Sequence, residues 1–172
     1  MKTNEEVWKK VVAFHGHECP GLAIGVKLYE AVLATMKLER AADEEFYCIT
    51  ENDACSVDAI QVLLGTTFGK GNLFFKDHGK QVYTVVNRGT DEAYRFYFNC
   101  QEKRDSKAEF LAYLLDTKGE DLFAVKKVAS PRLEKAKIYK SYPCAICGEN
   151  TSEHRLKNRN GEMICLDCLE EK

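Results

Sequence analysis

His15, His17 and Cys19 put two imidazoles and a thiol into the stretch "FHGHECPGLAIG", a mixture that no ordinary helix or strand requires. Imidazole and thiolate bind borderline divalent metals and also carry protons or attack carbonyls. In a loop, alternate residues can point the same way, so His17 and Cys19 form a two-ligand bite. His15 then faces elsewhere, as a proton carrier or a group behind the ligands. Pro20 suits the first turn of a helix, which places Cys19 at a helix N-terminus where the dipole favours thiolate. "ENDACSVDAIQ" repeats the device. Its Cys55 sits where a strand hands over to a helix, with Asp53 or Ser56 as the cap. His17, Cys19 and Cys55 count three ligands with a fourth position open, the count of a catalytic zinc site. An ordinary turn at His17 and a buried helix-start cysteine at position 55 are the alternative reading of the same loops.

The C-terminal cysteines speak more plainly. Cys144, Cys147, Cys165 and Cys168 form C-x2-C-x17-C-x2-C. Two short bites brought together by a hairpin supply four thiolates at the corners of a tetrahedron, the ligand set of a structural Zn2+. Gly148 follows the first pair at a tight knuckle, and Asn160-Gly161 is a hairpin signal between the pairs. "CLDCLEEK" reads as a helix start. Knuckle, hairpin and ligand-bearing helix make a treble-clef or ribbon-like unit, with His154 left to solvent.

Elements must position these groups. Thr3 and Glu6 have capping-box spacing, and Val7, Trp8, Val11 and Phe14 recur at helical intervals, predicting a helix from Asn4 to Phe14 that Gly16 breaks. Leu22, Val26, Tyr29, Leu33 and Met36 make the apolar stripe of a second helix, in which Gly25 implies close approach of another backbone or a bound group. Phe46–Thr50 reads as a strand and Ser56–Leu64 as a helix. Leu73–Lys76, Gln81–Asn87 and Tyr94–Phe98 read as strands, the first two joined by "KDHGK" as a hairpin turn. Lys107–Thr117 is a further helix, ended by Gly119. Strands adjacent after a β-α unit predict an α+β domain with a mixed sheet. "KKVASPRLEKAKIYK" is basic and aperiodic. It reads as an exposed connection, or as a peripheral helix over Arg132–Tyr139. The expected division is a core over 1–128, a linker over 129–141 and a finger over 142–172.

The chain has 172 residues, a formal net charge of −2 and eight cysteines. A near-neutral balance gives no general attraction to nucleic acid or anionic lipid. No apolar run is long enough to cross a membrane, and the start of the chain does not read as a signal peptide, so a cytoplasmic protein is expected. Cysteines in that setting are metal ligands or reactive thiols rather than disulfides. Lys126, Lys127, Arg132, Lys135, Lys137 and Lys140 place a basic stretch beside the finger, which keeps nucleic acid among the partners to weigh, although the helix after Cys168 is acidic. "GTTFGKGN" misses the phosphate loop in spacing and in its hydroxyl, and lies after a helix instead of a strand.

Taken together, "FHGHECPGLAIG", "ENDACSVDAIQVLLGTTFGKGNL" and the terminal four-cysteine finger resemble the FmdE family, which takes its name from formylmethanofuran dehydrogenase. The resemblance implies a thioredoxin-like mixed sheet flanked by helices, a terminal treble clef, a homodimer, and a metal pocket built on His17, Cys19 and Cys55. A second divalent metal, Zn2+, is expected there. The family name links the chain to methanogenesis-related C1 chemistry, as an accessory subunit or metal-handling partner of a molybdenum or tungsten formylmethanofuran dehydrogenase. The chain is too small, and lacks the iron–sulfur cysteine runs, for that electron-transfer chemistry itself. Two other classes stand beside this one. One is a zinc-dependent enzyme on a small molecule, with His15, Glu18 and Asp53 moving protons and Lys70 stabilising developing charge. The other is a zinc-finger regulator that binds DNA or docks on a protein.

Overall fold

The computed structural model describes residues 3–38, 40–102 and 104–170. It divides into two compact units, Met1–Lys135 and Ala136–Lys172. No helix among the described residues is long and apolar enough to cross a membrane.

The first unit is built on a five-stranded mixed sheet in the order β2-β1-β3-β4-β5. The strands are β1 (Phe46–Thr50), β2 (Leu73–Phe75), β3 (Val82–Asn87), β4 (Glu92–Phe98) and β5 (Phe123–Val128). β1 pairs with β2 in parallel and with β3 antiparallel, and β3-β4-β5 continue antiparallel. The α+β expectation with a mixed sheet therefore holds, but "KDHGK" is not a hairpin turn. β1 lies between β2 and β3, so residues 76–80 pass around its end instead. Lys76 and Lys80 donate their N–H groups to the Thr50 and Glu51 carbonyls, which ties that loop to the end of β1.

The helices are α1 (Glu5–His15), α2 (Pro20–Met36), α3 (Ser56–Leu63), α4 (Lys107–Asp116) and α5 (Gly119–Leu122). α1 starts one residue later than the capping-box spacing suggests. Asn4 is its N-cap, accepting from the Glu6 N–H at 2.8 Å, while Thr3 reaches Glu30 and the Leu115 carbonyl. Gly16 ends α1 in the left-handed region (φ 94°) as expected. Gly119 does not end α4 but opens α5. It sits so close to α2 that a Cβ there would lie 2.3 Å from the Lys27 carbonyl oxygen.

One core holds Ala23, Leu28, Val32, Phe46, Cys48, Ile60, Tyr83, Val85 and Phe96 between the helices and one face of the sheet. The alternation of the strands sends Tyr47, Ile49, Val86 and Ala93 to the other face, where Leu133 packs on them. The basic segment is thus partly strand. Lys127 of β5 pairs with Glu92 (2.7 Å) and Arg132 with Asp91 (3.0 Å), which neutralises part of the positive stretch locally. Residues 129–140 carry no regular secondary structure, so the peripheral-helix reading fails.

The second unit pairs β6 (Ser141–Pro143) with β7 (Asn150–Ser152) as a knuckle hairpin. A single 3₁₀ turn (Glu153–Arg155) leads to the hairpin of β8 (Leu156–Arg159) and β9 (Glu162–Cys165), followed by α6 (Leu166–Glu170). This is the knuckle, hairpin and helix that the cysteine spacing predicts. Glu171 and Lys172, the end of "CLDCLEEK", lie outside the described residues.

Candidate metal centre

The helix starts are brought together by glycine. Gly21 and Gly25 are one turn apart on the same face of α2. A Cβ on Gly25 would meet the Ser56 carbonyl oxygen at 2.3 Å and the Ala59 Cβ at 2.7 Å. The close approach implied by Gly25 is therefore to the first turn of α3. One turn earlier, a Cβ on Gly21 would lie 3.5 Å from the Cys55 Sγ and 3.8 Å from the Cys19 Sγ. Without side chains on this face, the two thiols at the starts of α2 and α3 become neighbours.

The end of β1 is held just as firmly. Ser56 Oγ lies 2.6 Å from the Tyr83 hydroxyl, which donates to Gln81 Oε1 at 2.6 Å. Burial pushes the Tyr83 phenol up to about 12, so it stays protonated as a donor. Asn52 Oδ1 accepts the Ala54 N–H, and its amide donates to the Lys80 carbonyl. Asp53 and Ser56 thus do not cap α3. The N-cap position is Cys55, with helical dihedrals and no side-chain capping bond. Burial first, then the adjacent Cys19 thiol, push the Cys55 thiol above its ordinary range, contrary to the low-pKa expectation for that residue. Cys19 does act as a cap, with its Sγ accepting the Leu22 N–H at 3.3 Å.

His15 is not turned away. Gly16 reverses the chain, and the His15 and His17 rings come to 4.4 Å between centroids. One ligand atom from each of His15, His17 and Cys19 lies within 4.8 Å of the others. Cys55 falls outside that set, although it is beside Cys19. His15 Nε2 lies 3.8 Å from Cys19 Sγ, and His15 Nδ1 lies 2.7 Å from Asp58 Oδ2. A carboxylate on Nδ1 fixes the tautomer and orientation, leaving Nε2 to face the thiol. Asp58 escaped the sequence reading. The available signal was its position three residues after Cys55 on the same helical face.

The remaining expected residues separate. Asp53 lines a cavity of about 410 Å³ that also contains His15, Cys55 and Asp58. Glu18 is held back by the Trp8 indole N–H (2.9 Å). Lys70 does not line that cavity, because its ammonium donates to the carbonyls of Ala41, Ala42 and Asp43 (3.0–3.3 Å). A cation anchored there is not available to a charge developing beside His15. The glycine-rich loop instead sends Phe68 to the cavity wall, a contribution the sequence reading did not single out.

In the second unit the four expected cysteines form one cluster, with sulfur atoms within 4.8 Å. Cys144 Sγ accepts the Ile146 N–H at 3.4 Å and the Cys165 N–H at 3.3 Å. Backbone donors of this kind, from Cys165, Cys147 and Ile146, pull the Cys144 thiol down to about 6. The neighbouring Cys165 thiol pushes Cys168 up instead. Four sulfurs that must share so small a space are relieved by one divalent cation and the loss of their protons. His154 stacks on Tyr139 at 3.9 Å and takes no part in the cluster.

Comparison with known proteins agrees with both units. Residues 137–172 match the prokaryotic dksA/traR C4-type zinc finger, so the four cysteines form a structural Zn2+ site. The crystal structure of a tungsten formylmethanofuran dehydrogenase FmdE-like protein from Syntrophus aciditrophicus superposes with a TM-score of 0.74 at 26% identity, covering 99% of this chain and 97% of that one. A probable S-adenosyl-L-methionine-binding protein of Archaeoglobus fulgidus is 27% identical over 90% of this chain. The chain spans 50% of the length of that curated relative. Residues 14–143, well over half of the chain, match the family model described as "FmdE, Molybdenum formylmethanofuran dehydrogenase operon", and the chain belongs to the FmdE family.

Proposed function

We propose that the first unit holds a second divalent metal through His15, His17 and Cys19, with Cys55 beside them. On this reading the protein serves molybdenum or tungsten formylmethanofuran dehydrogenase-type C1 metabolism as an accessory or metal-handling partner, working as a homodimer. The observation that carries the metal reading is the convergence of His15, His17 and Cys19 within 4.8 Å, with Asp58 behind His15. Two imidazoles and a thiolate suit zinc and its borderline neighbours. A divalent ion bound there supplies Lewis-acid polarisation to whatever enters the cavity. The chain's own part is to orient His15 through Asp58 and to keep the Cys19 sulfur at the helix start.

Metal analysis of the purified full chain tests this directly. Two metals per chain are expected, falling to one in Cys19→Ser with the finger zinc retained. A wild-type chain with only the finger zinc sinks the reading, as does a Cys19→Ser variant that keeps both. Light scattering checks the dimer. Co-purification with dehydrogenase subunits checks the partnership.

Asp58 gives a more graded measurement. Asp58→Asn should lower core-metal affinity by about 10–100-fold, the usual cost of removing a partner that orients a histidine ligand. Competition with a chromophoric chelator reads this out, and an unchanged affinity would remove Asp58 from the site.

The cavity meeting the cluster at His15, with Cys55 also in its lining, favours a second reading, a metal-dependent enzyme on a small molecule. Asp53 and His15 are the groups placed to move protons there. The name of the Archaeoglobus fulgidus relative adds S-adenosyl-L-methionine to the molecules to assay. Saturable turnover lost in Asp53→Asn but with metal retained would select the enzyme reading.

A further inference from the structure

Gln61 lines two cavities. One is the cavity at His15. The other, a cleft of about 460 Å³, is lined by Lys10, Phe14, Arg40, Gln61, Val62 and Thr67. Lys10 and Phe14 stand one turn apart on the same face of α1, while Gln61 and Val62 come from α3. The charged groups of this cleft are Lys10 and Arg40, and no carboxylate joins them in the lining. Asp58, which Gln61 Nε2 approaches at 3.5 Å, lines the other cavity and is engaged by His15. None of His15, His17 and Cys19 lines the cleft, so its positive charge belongs to the chain itself. A divalent ion held by those three residues would add to that charge, not cancel it.

Arg40 is exposed but held. Its Nε donates to the Val62 carbonyl in the last turn of α3 at 3.1 Å. Its side chain lies along left-handed Gly65 (φ 71°), where a Cβ would come to 3.2 Å from Arg40 Cγ and 3.3 Å from Arg40 Cζ. The Ala41 N–H takes the Leu64 carbonyl at 2.9 Å, so the end of α3 presents fewer open acceptors to a ligand. The two Nη groups of Arg40 and the Lys10 ammonium have no hydrogen-bond or ion-pair partner among the described residues. Thr67 Oγ1 accepts the Lys70 N–H at 3.2 Å, which leaves its hydroxyl proton to donate. A planar guanidinium fork beside an ammonium is the donor set that suits phosphate. Two cations balance the dianion of a phosphomonoester, whereas a carboxylate would leave one unmatched. Phe14 is 59% exposed at the edge of this concavity, where a large ring gains by being covered. The volume falls at the small end of ligand pockets and fits a phosphate carried on one or two rings.

We propose that this cleft binds the phosphomonoester group of a small ring compound, with the phosphate at Lys10 and Arg40 and the ring against Phe14. The site lies outside the candidate metal centre. It goes beyond both readings of the core and rests on neither.

The test uses the full-length protein in phosphate-free buffer, with its metal content measured on the same sample. Phenyl phosphate, benzoate, benzyl alcohol and inorganic phosphate are titrated by calorimetry and ligand-observed NMR. Phenyl phosphate should bind at least about tenfold more tightly than benzoate or benzyl alcohol, and more tightly than inorganic phosphate, which lacks the ring. Lys10→Gln and Arg40→Gln replace exposed side chains and should keep the metal content. Lys10→Gln should also keep the wild-type melting temperature, because the Lys10 ammonium has no partner to lose. Each should weaken phenyl phosphate about tenfold. Cys19→Ser separates this cleft from the core, since an anion bound to a core metal would be lost with that metal. Phenyl phosphate should bind this variant as tightly as it binds the wild type. Affinity that survives both cation variants and disappears in Cys19→Ser overturns the proposal and assigns the anion to the core metal. Equal binding of phenyl phosphate and benzyl alcohol overturns it too, as does the absence of saturable phenyl phosphate binding. The metal reading stands or falls separately, on the metal count alone.

Discussion

Stripping zinc from the full chain should unfold the second unit and leave the first intact. The finger's buried cluster consists of Cys144, Leu156, Ile164 and Cys165, with Cys168 and Leu169 packed against it. Half of that cluster is metal ligand, so little apolar core survives once the ion leaves. Units this small depend on a staple, and a structural zinc supplies about 10–16 kcal/mol of apparent binding free energy in such fingers. Without it, four thiols crowd one point and repel as they ionise. After complete chelation, limited proteolysis should cut within residues 142–170 while the five-stranded unit keeps its cooperative melting transition. Cys147→Ser should reproduce the cleavage without chelator. A metal-free finger as protease-resistant as the zinc-loaded one would show that hydrophobic packing alone holds it.

The second large effect is expected from Gly25→Ala. In an exposed helix interior, alanine in place of glycine stabilises by about 1 kcal/mol. Here the new methyl would lie 2.3 Å from the Ser56 carbonyl oxygen and 2.9 Å from the Ser56 carbonyl carbon. Both are backbone atoms that cannot swing aside, so α2 and α3 must separate. Overpacking of this kind costs about 1–3 kcal/mol, occasionally more, and outweighs the gain in helix propensity. A net loss of about 2 kcal/mol should lower the melting temperature by roughly 4–8 °C for a chain of this size. Because the same helix pair brings Cys19 to Cys55, the core site should lose metal affinity together with stability. Gly69→Ala is the control, since a Cβ there meets nothing within 4 Å. Equal melting temperatures for wild type and Gly25→Ala would refute the close-packing account.

The finger was legible from the sequence because its determinants are local. All four ligands lie within 25 residues, and knuckle, hairpin turn and helix start each follow from a few neighbouring side chains. The same is true of α1 and α2. Gly16 stops the first, Pro20 starts the second, and Cys19 is thereby fixed at a helix start. Gly25 even announced that something would approach α2.

What approached it could not be read from the chain. Local patterns constrain dihedrals over a few residues, whereas contact between distant elements depends on strand order and on which helix faces lack side chains. β2 took the far side of β1 and turned an apparent hairpin into a connection around β1's end. That order placed the loop carrying Phe68 and Lys70, giving the ring to the cavity and the ammonium to the carbonyls of residues 41–43. Gly16 folded His15 back toward His17 and Cys19, and α3 carried Asp58 across a gap of 43 residues to meet it. The sequence thus determined which residues could bind metal and that they stand at helix starts. Tertiary packing decided that His15 joins the cluster, that Asp58 stands behind it and that Lys70 stays outside, because each of these depends on contacts that no local pattern encodes.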